Sequence, residues 1–452
     1  MGHSESTFAH LPFLMTVDEL ALENFRSFEK FHISFQPGLN VITGVNGVGK
    51  TSILEAIHLG MSHMIARLKS ENGNGKSIED SSIKNETEHA CVRLRFSTRE
   101  VEPPQQENEQ EVKKTENVRR FYSLSLAATR AGLNRGIASN YKEVAQWAQR
   151  YRSARSEGKP VHYPLLAYYK VTRAVLDIPK RVRGKEEGGQ LAGYNDAISG
   201  GGNFRSFFAW FREQEDRENE ERLSREDIGY RDPGLEVVRE AIKAFMPALS
   251  DIKVRRKHMA LVAKKNGVEV ELSQLSDGEK CYLALIGDIS CRLARLSEGL
   301  NLSTQKVLDS PGIVLIDELD LHMHPRWQRE VINLLPKTFK NIQFIITTHS
   351  PQMIGETDAR RVRCLVQGEE EALSPDNTKG LSSSEILRII METRERDEVS
   401  ERLVASFHDA IDKNDFQQAE DILKKLKEET TNSSKLPLIQ ELSAELSFLR
   451  ND

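Results

Sequence analysis

Four short stretches of this chain hold residues whose types and spacing can do chemistry together. Gly44-Val45-Asn46-Gly47-Val48-Gly49-Lys50-Thr51 matches G-x-x-x-x-G-K-S/T at every required position. Its glycines let the backbone wrap phosphates with N–H groups pointing inward. Asn46, Gly47, Gly49 and Ser52 are the expected cofactor contacts beside it. Lys50 is placed to reach the β- and γ-phosphates of a bound ATP, and Thr51 to ligate Mg²⁺. The apolar run Ile313-Val314-Leu315-Ile316 ends in two acids. Asp317 is expected in the Mg²⁺ shell, with Glu318 as the general base that orients the attacking water. Phe344-Ile345-Ile346-Thr347-Thr348 leads to His349, expected near the γ-phosphate. Ser276-Asp277-Gly278-Glu279 opens an apolar-periodic stretch. Alone, such a serine reads as a helix N-cap. In company with the other three stretches, Ser276 and Gly278 read as an anion-facing turn at a helix start.

Particular elements must position these groups. Leu39-Asn40-Val41-Ile42 reads as the strand entering the phosphate loop, and Ser52 to Met64 as the helix leaving it. Phe31, Ile33 and Phe35 alternate with polar neighbours, as do Cys91 to Phe96. Phe121 to Leu126 and Val161 to Tyr169 hold further strands. Glu71 to Ser82 reads as an exposed loop and Arg99 to Asn117 as a polar excursion. Asn266-Gly267 between alternating runs predicts a tight hairpin turn. Beyond Lys379 the pattern is helical, with Ser382-Ser383-Ser384-Glu385 and Asn414-Asp415 as caps or turns.

The chain has 452 residues, 38% hydrophobic and 29% charged, enough for two to three domains with real cores. No apolar run approaches the roughly 18 residues that span a membrane. Met1 to His10 lacks the pattern of a signal peptide. Cys91, Cys281, Cys291 and Cys364 show no C-x-x-C spacing, which fits free thiols in a reducing, cytoplasmic setting. A net charge of −5 gives no global pull towards nucleic acid, so DNA contact would need local patches.

Together the motifs resemble the SMC/RecF-like branch of ABC-type ATPases. The resemblance implies an α/β fold: an ABC-type P-loop ATPase head of mixed sheet and helices, with an inserted helical module and a helical C-terminal tail. Its divisions are expected at 11–178 (N-terminal lobe with the phosphate loop), 179–235 (insert), 236–370 (C-terminal lobe) and 371–452 (assembly or docking region). Ala21-Leu22-Glu23-Asn24-Phe25-Arg26-Ser27-Phe28 looks like that branch's opening strand, which implies that Arg26 contacts the nucleotide. Asp317-Glu318-Leu319-Asp320-Leu321-His322-Met323-His324-Pro325 looks like a segment of its single-chain bacterial members, which implies that Asp320 faces a partner subunit. Such sites are split: Ser276 would close the nucleotide held by a second copy, so a homodimer or higher homo-oligomer is implied. The glutamine that such sites carry on a separate loop is not assigned. Asp277 stands where many members have glycine, an acid beside the entering γ-phosphate.

More narrowly, Tyr168-Tyr169 with Arg173, the Phe204 to Arg225 stretch and Gly380-Leu381-Ser382-Ser383-Ser384-Glu385-Ile386-Leu387 are similar to the Septu-type, PtuA-like anti-phage ATPases. That likeness implies an HNH nuclease partner (PtuB-like) and DNA reached through the complex. No Asp-x-Asp and no cysteine-paired HNH pattern occurs in the chain, so any DNA cutting falls to another protein. A stand-alone DNA-repair ATPase and a nucleotide sensor with little hydrolysis are the competing functions.

About 225 residues separate Lys50 from Ser276, too irregular for a long coiled coil. Phe204, Phe207, Phe208 and Phe211 recur at helical spacing, reading first as core packing and second as a partner site. Arg150/Arg152/Arg155, Lys180/Arg181/Arg183/Lys185 and Lys253/Arg255/Arg256/Lys257 are either solvated faces or tracks for a DNA backbone. His322-Met323-His324 lacks the further ligands of a metal site. The stripe Phe416, Ala419, Ile422, Leu423 and Leu426 suits either a partner or the chain's own ATPase region.

Overall fold

The computed structural model describes residues 14–101, 117–133, 137–171, 188–198, 204–257, 260–391, 393, 396–429 and 436–450. Two compact units divide the chain between Lys379 and Gly380.

In the first unit the strands are β1 (Leu14–Phe25), β2 (Phe28–Ser34), β3 (Leu39–Gly44), β4 (His89–Val101), β5 (Asn117–Thr129) and β6 (Leu165–Tyr169). After them come β7 (Leu249–Arg255), β8 (Ala260–Lys265), β9 (Val268–Glu271), β10 (Gly312–Ile316), β11 (Ile342–Thr347) and β12 (Val362–Leu365). A parallel sheet of order β12-β3-β11-β10-β6 forms the centre. Strands β6, β10 and β11 are buried along their whole length. They are near-continuous apolar runs, as parallel strands covered on both faces must be. Register pairs Ile316 with both Ile346 and Tyr169, and Thr347 with Ile42. The segments after β3, β6, β10 and β11 therefore emerge at one edge, where ligands of open α/β sheets bind.

An antiparallel sheet, β2-β1-β4-β5, alternates buried and exposed side chains as a one-faced sheet does. A third, β7-β8-β9, carries the foreseen two-residue hairpin: Asn266 and Gly267 have φ of 50° and 84°.

Helix α1 (Lys50–Lys69) follows the phosphate loop, and α2 (Lys142–Ser156) packs on it and on β5. Next are α3 (Phe204–Ser224), α4 (Pro233–Phe245) and α5 (Asp277–Leu296), with α3 packed on α5. Phe207, Phe208 and Phe211 are buried in the same core as the parallel sheet. Each contributes about 1.5–3 kcal/mol of burial, so this stripe is core. Short α6 (Thr304–Leu308), α7 (Pro325–Thr338) and α8 (Pro351–Glu356) complete the unit. The segment after Glu71 is only partly exposed. Gly75 lies against Ser62 and His63 of α1, and Ile78 and Ser82 are buried.

Two basic runs turn out to be internally paired. Arg150 donates to both oxygens of buried Glu100 at 2.6 Å, and Arg152 donates to the Arg67 carbonyl. Lys253 and Arg255 pair with Glu269, and Arg256 with Glu215 and Asp216. The run Lys180 to Lys185, Arg173, the Gly200-Gly201-Gly202 break and most of the Arg99 to Asn117 excursion lie outside the described residues.

The second unit comprises α9 (Ser383–Ile389), α10 (Glu398–Asp412), α11 (Phe416–Glu429) and α12 (Pro437–Arg450). Ser382 caps α9 in a reciprocal box with Glu385, as expected. Ala419, Ile422, Leu423 and Leu426 pack with Phe407 of α10 and Ile439 and Leu442 of α12. The tail stripe thus builds a small helical core of its own, a third outcome beside the two expected.

Candidate functional site

Three glycines with positive φ shape the loop between β3 and α1. Gly49 is the most demanding, at φ 110° with the Phe28 ring and the Ser27 hydroxyl where a Cβ would stand. That contact also presses the β1–β2 turn, Arg26-Ser27, onto the loop. No side chain caps α1 and no acid lies in its first turn. Its N–H groups, those of Lys50, Thr51 and Ser52 among them, are left for an anion. Asn46 and Gly47 are exposed at the loop crest.

Lys50 is buried and donates to the carbonyls of Gly44 and Val45 at 2.9 and 3.0 Å. Burial pulls its ammonium below the ordinary value, and the carboxylates of Glu318, Asp317 and Asp320 act against that. Thr51 donates to Asp317 Oδ2 at 2.9 Å. Asp317 is 1% exposed, and its Oδ1 accepts from Thr347 Oγ1 at 2.6 Å. The same Thr347 oxygen accepts the Glu318 N–H at 2.7 Å. Glu318 takes a left-handed φ of 47°, which turns the chain sharply after the strand. Asp320 Oδ1 accepts from Thr348 Oγ1 at 2.6 Å and from the His349 N–H at 3.3 Å. His349 is held below its ordinary pKa by burial first and by Lys50 second, with the three acids opposing. Its imidazole is therefore neutral at pH 7, able to give or accept one hydrogen bond.

So Lys50, Thr51, Asp317, Glu318, Asp320 and His349 meet at one sheet edge. Arg26 stands at its rim, paired with Glu55 of α1. Ser276 is an N-cap in full: its hydroxyl accepts the Glu279 N–H at 3.3 Å, and Glu279 accepts the Ser276 N–H at 3.0 Å. Within one chain its side chain is thus engaged with its own helix. Gly278 packs against the His322 carbonyl, which leaves no room for a Cβ. The serine turn therefore packs directly against the loop after Asp320. Asp277 is exposed and pairs with Lys280 at 3.2 Å. His324 caps α7 through the Arg326 N–H at 3.2 Å.

Sequence reading missed four groups here. In the sequence pattern Thr347 and Thr348 are only the end of the strand before His349. Two fully buried hydroxyls at a strand end must find polar partners, and that was the available signal. Glu55 and Lys170 carry no local signature.

The donor set fits Mg²⁺ and a nucleotide. Thr51 and Asp317 offer hard oxygens 2.9 Å apart, suited to a cation that keeps waters and binds phosphate. The helix start and Lys50 suit the phosphates themselves.

Residues 39–355 match the family model described as "AAA domain, putative AbiEii toxin, Type IV TA system". The "Retron Ec83 probable ATPase" of Escherichia coli is 29% identical over 84% of this chain and 77% of its own length. The "Septu protein PtuA" of Bacillus thuringiensis is 26% identical over 75% of this chain and 73% of its own. Among solved structures, an SMC head bound to the C-winged helix domain of ScpA covers 79% of this chain and 98% of that one, at 17% identity and a TM-score of 0.41.

Proposed function

The chain belongs to the AAA-domain family matched over residues 39–355, and from that premise we propose that it is a dimer-forming ATPase that governs a separate HNH-type DNA nuclease in anti-phage defence. It is an ATPase of the SMC/RecF-like class, with relatives named for Septu and retron systems. One observation carries the nucleotide reading: the bridge Thr51–Asp317–Thr347, which ties the phosphate loop to both chemistry-bearing strands.

The roles follow from position. The α1 start and Lys50 bind the phosphates. Thr51 and Asp317 would hold Mg²⁺, which when bound neutralises charge developing on the γ-phosphoryl oxygens. Glu318, projecting just past Asp317, orients and deprotonates water. His349, after the neighbouring strand, gives a hydrogen bond. Ser276 of a second copy completes the site, with Gly278 and Asp320 beside it. Closure then transmits the bound state to the nuclease, for which the separate C-terminal helical unit supplies a docking platform. The absence of nuclease motifs from the sequence and the Septu-named relative support this division of labour.

The test uses the full chain. Lys50→Ala is expected to weaken ATP binding at least about a hundredfold, since a phosphate-facing charge in a buried cradle is worth several kcal/mol. Binding at wild-type affinity would refute the assigned site. A neighbouring gene is expected to encode a small HNH protein that co-elutes with the wild type, and the lack of such a neighbour or of association would remove the nuclease from the reading.

A further inference from the structure

We infer that Lys170 is a second phosphate-binding lysine of the nucleotide site, selective for the triphosphate, and that Glu55 is the carboxylate that competes with the phosphates for it and for Arg26. The inference rests on the nucleotide reading above.

Register places Lys170. Parallel pairing matches Tyr169 with Ile316, so the next positions outward are Lys170 and Asp317. The Asp317 N–H donates to the Tyr169 carbonyl at 2.8 Å, which fixes this end of the two strands together. In the sheet order β10 lies between β11 and β6. His349, after β11, and Lys170, after β6, therefore flank the Asp317-Glu318 pair from opposite sides.

Alternation along β6 then decides which way Lys170 faces. Tyr169 turns to α5, where its hydroxyl donates to buried Asp288 at 2.7 Å. Tyr168 and Lys170 take the other face, towards α1. There Tyr168 lies 5.0 Å from the His58 ring, and the Lys170 ammonium lies 5.8 Å from the Tyr168 ring centre. Glu55 stands one helical turn after Thr51, on the same stripe of α1. It pairs with the Arg26 guanidinium and, at 3.6 Å, with Lys170 Nζ. The Thr51 hydroxyl reaches Asp317, so Glu55 and Lys170 stand beside the corner that would hold Mg²⁺.

Charge and burial indicate what this wall is for. One carboxylate, Glu55, is shared by two cations, Arg26 and Lys170. The Lys170 ammonium stands 3.6 Å from Glu55, and its flexible stem can turn it to a stronger anion. Tyr168 provides a second, independent sign of a ligand. The residue is 1% exposed and its hydroxyl has no hydrogen-bond partner among the described residues. A buried hydroxyl left unpaired costs about 1–3 kcal/mol, and a phosphate oxygen or a metal-bound water is a fitting partner. Its acidity is suppressed by burial first and then by the nearby carboxylates of Asp317 and Glu55.

The experiment titrates full-length protein with a non-hydrolysable ATP analogue and with ADP, both with Mg²⁺. Lys170→Gln is expected to weaken the ATP analogue about tenfold and ADP less than about twofold, with Lys170→Arg restoring most of the difference. Glu55→Gln is expected to tighten the ATP analogue a few-fold. An unchanged ATP/ADP ratio in Lys170→Gln, with a wild-type melting curve, overturns the inference. Should Lys170→Gln not fold, weaker or unchanged ATP binding in Glu55→Gln overturns it. Lys50→Ala separates the two levels. If that variant loses nucleotide while Lys170→Gln is silent, only this inference falls; if it too binds normally, the nucleotide site itself falls.

Discussion

Asp317 has both carboxylate oxygens engaged by threonines, Thr51 on one side and Thr347 on the other. Thr51 belongs to a motif that names its role. Thr347 does not, yet its single hydroxyl does two jobs, donating to Asp317 and accepting the Glu318 N–H. It sets the angle between the carboxylate expected to hold the metal and the one expected to activate water. Thr347→Val keeps the shape and removes both bonds. In a site this buried, the loss should cost about 1–3 kcal/mol of stability, read as a lower urea midpoint. It should also slow Mg²⁺-dependent ATP hydrolysis about tenfold or more, while Thr347→Ser stays near wild type. A Thr347→Val enzyme with normal turnover would reduce this residue to packing.

Among elements, the contact of α1 with β6 and its surroundings carries a built-in sensitivity to acid. His58 of α1 is pulled down to about 3, by burial first and then by Lys76 and Lys170. His162, just before β6, hydrogen-bonds Ser310 at 2.8 Å and is pulled down to about 4 by burial. Both rings stay neutral in the folded chain, whereas in the unfolded chain they take a proton near pH 6.5. The unfolded state therefore binds more protons below that pH. Stability is fully present above about 6.5 and declines as the pH falls towards the folded values, by up to about 1.4 kcal/mol per unit for each ring. The urea midpoint should drop between pH 7 and pH 5, and His58→Phe should drop less steeply. Parallel slopes for the two proteins would exclude His58 as a source. This region also shows where sequence reading stops. The phosphate loop, Asp317, Glu318 and His349 were legible because each motif sits in a local strand-to-turn pattern. Lys170 and Glu55 were not, because their roles depend on the pairing of β6 with β10, some 150 residues away, a long-range register that no local pattern encodes. The ion pair of Arg150 with buried Glu100 is invisible to local reading for the same reason.

At the scale of the whole molecule, the open question is whether one chain can complete its own site. Lys50 and the acids meet within a chain, but the Ser276 hydroxyl is occupied by its own helix cap. Gly278 packs that turn against the His322 carbonyl. A second copy is the simplest source of the missing wall, and mixing variants tests it. Chains carrying Lys50→Ala retain a good serine turn, and chains carrying Ser276→Arg retain a good phosphate loop. Each alone should be inactive. In a mixed dimer one site inherits both lesions and the other inherits neither. With random pairing at equal amounts, half the dimers are mixed and each has one sound site of two, so ATPase activity should recover to about a quarter of wild type. Gel filtration of differently tagged chains would confirm that subunits exchange. If they exchange and activity stays at the sum of the two separate variants, the split-site model is wrong, and the ATPase acts through a site closed within a single chain.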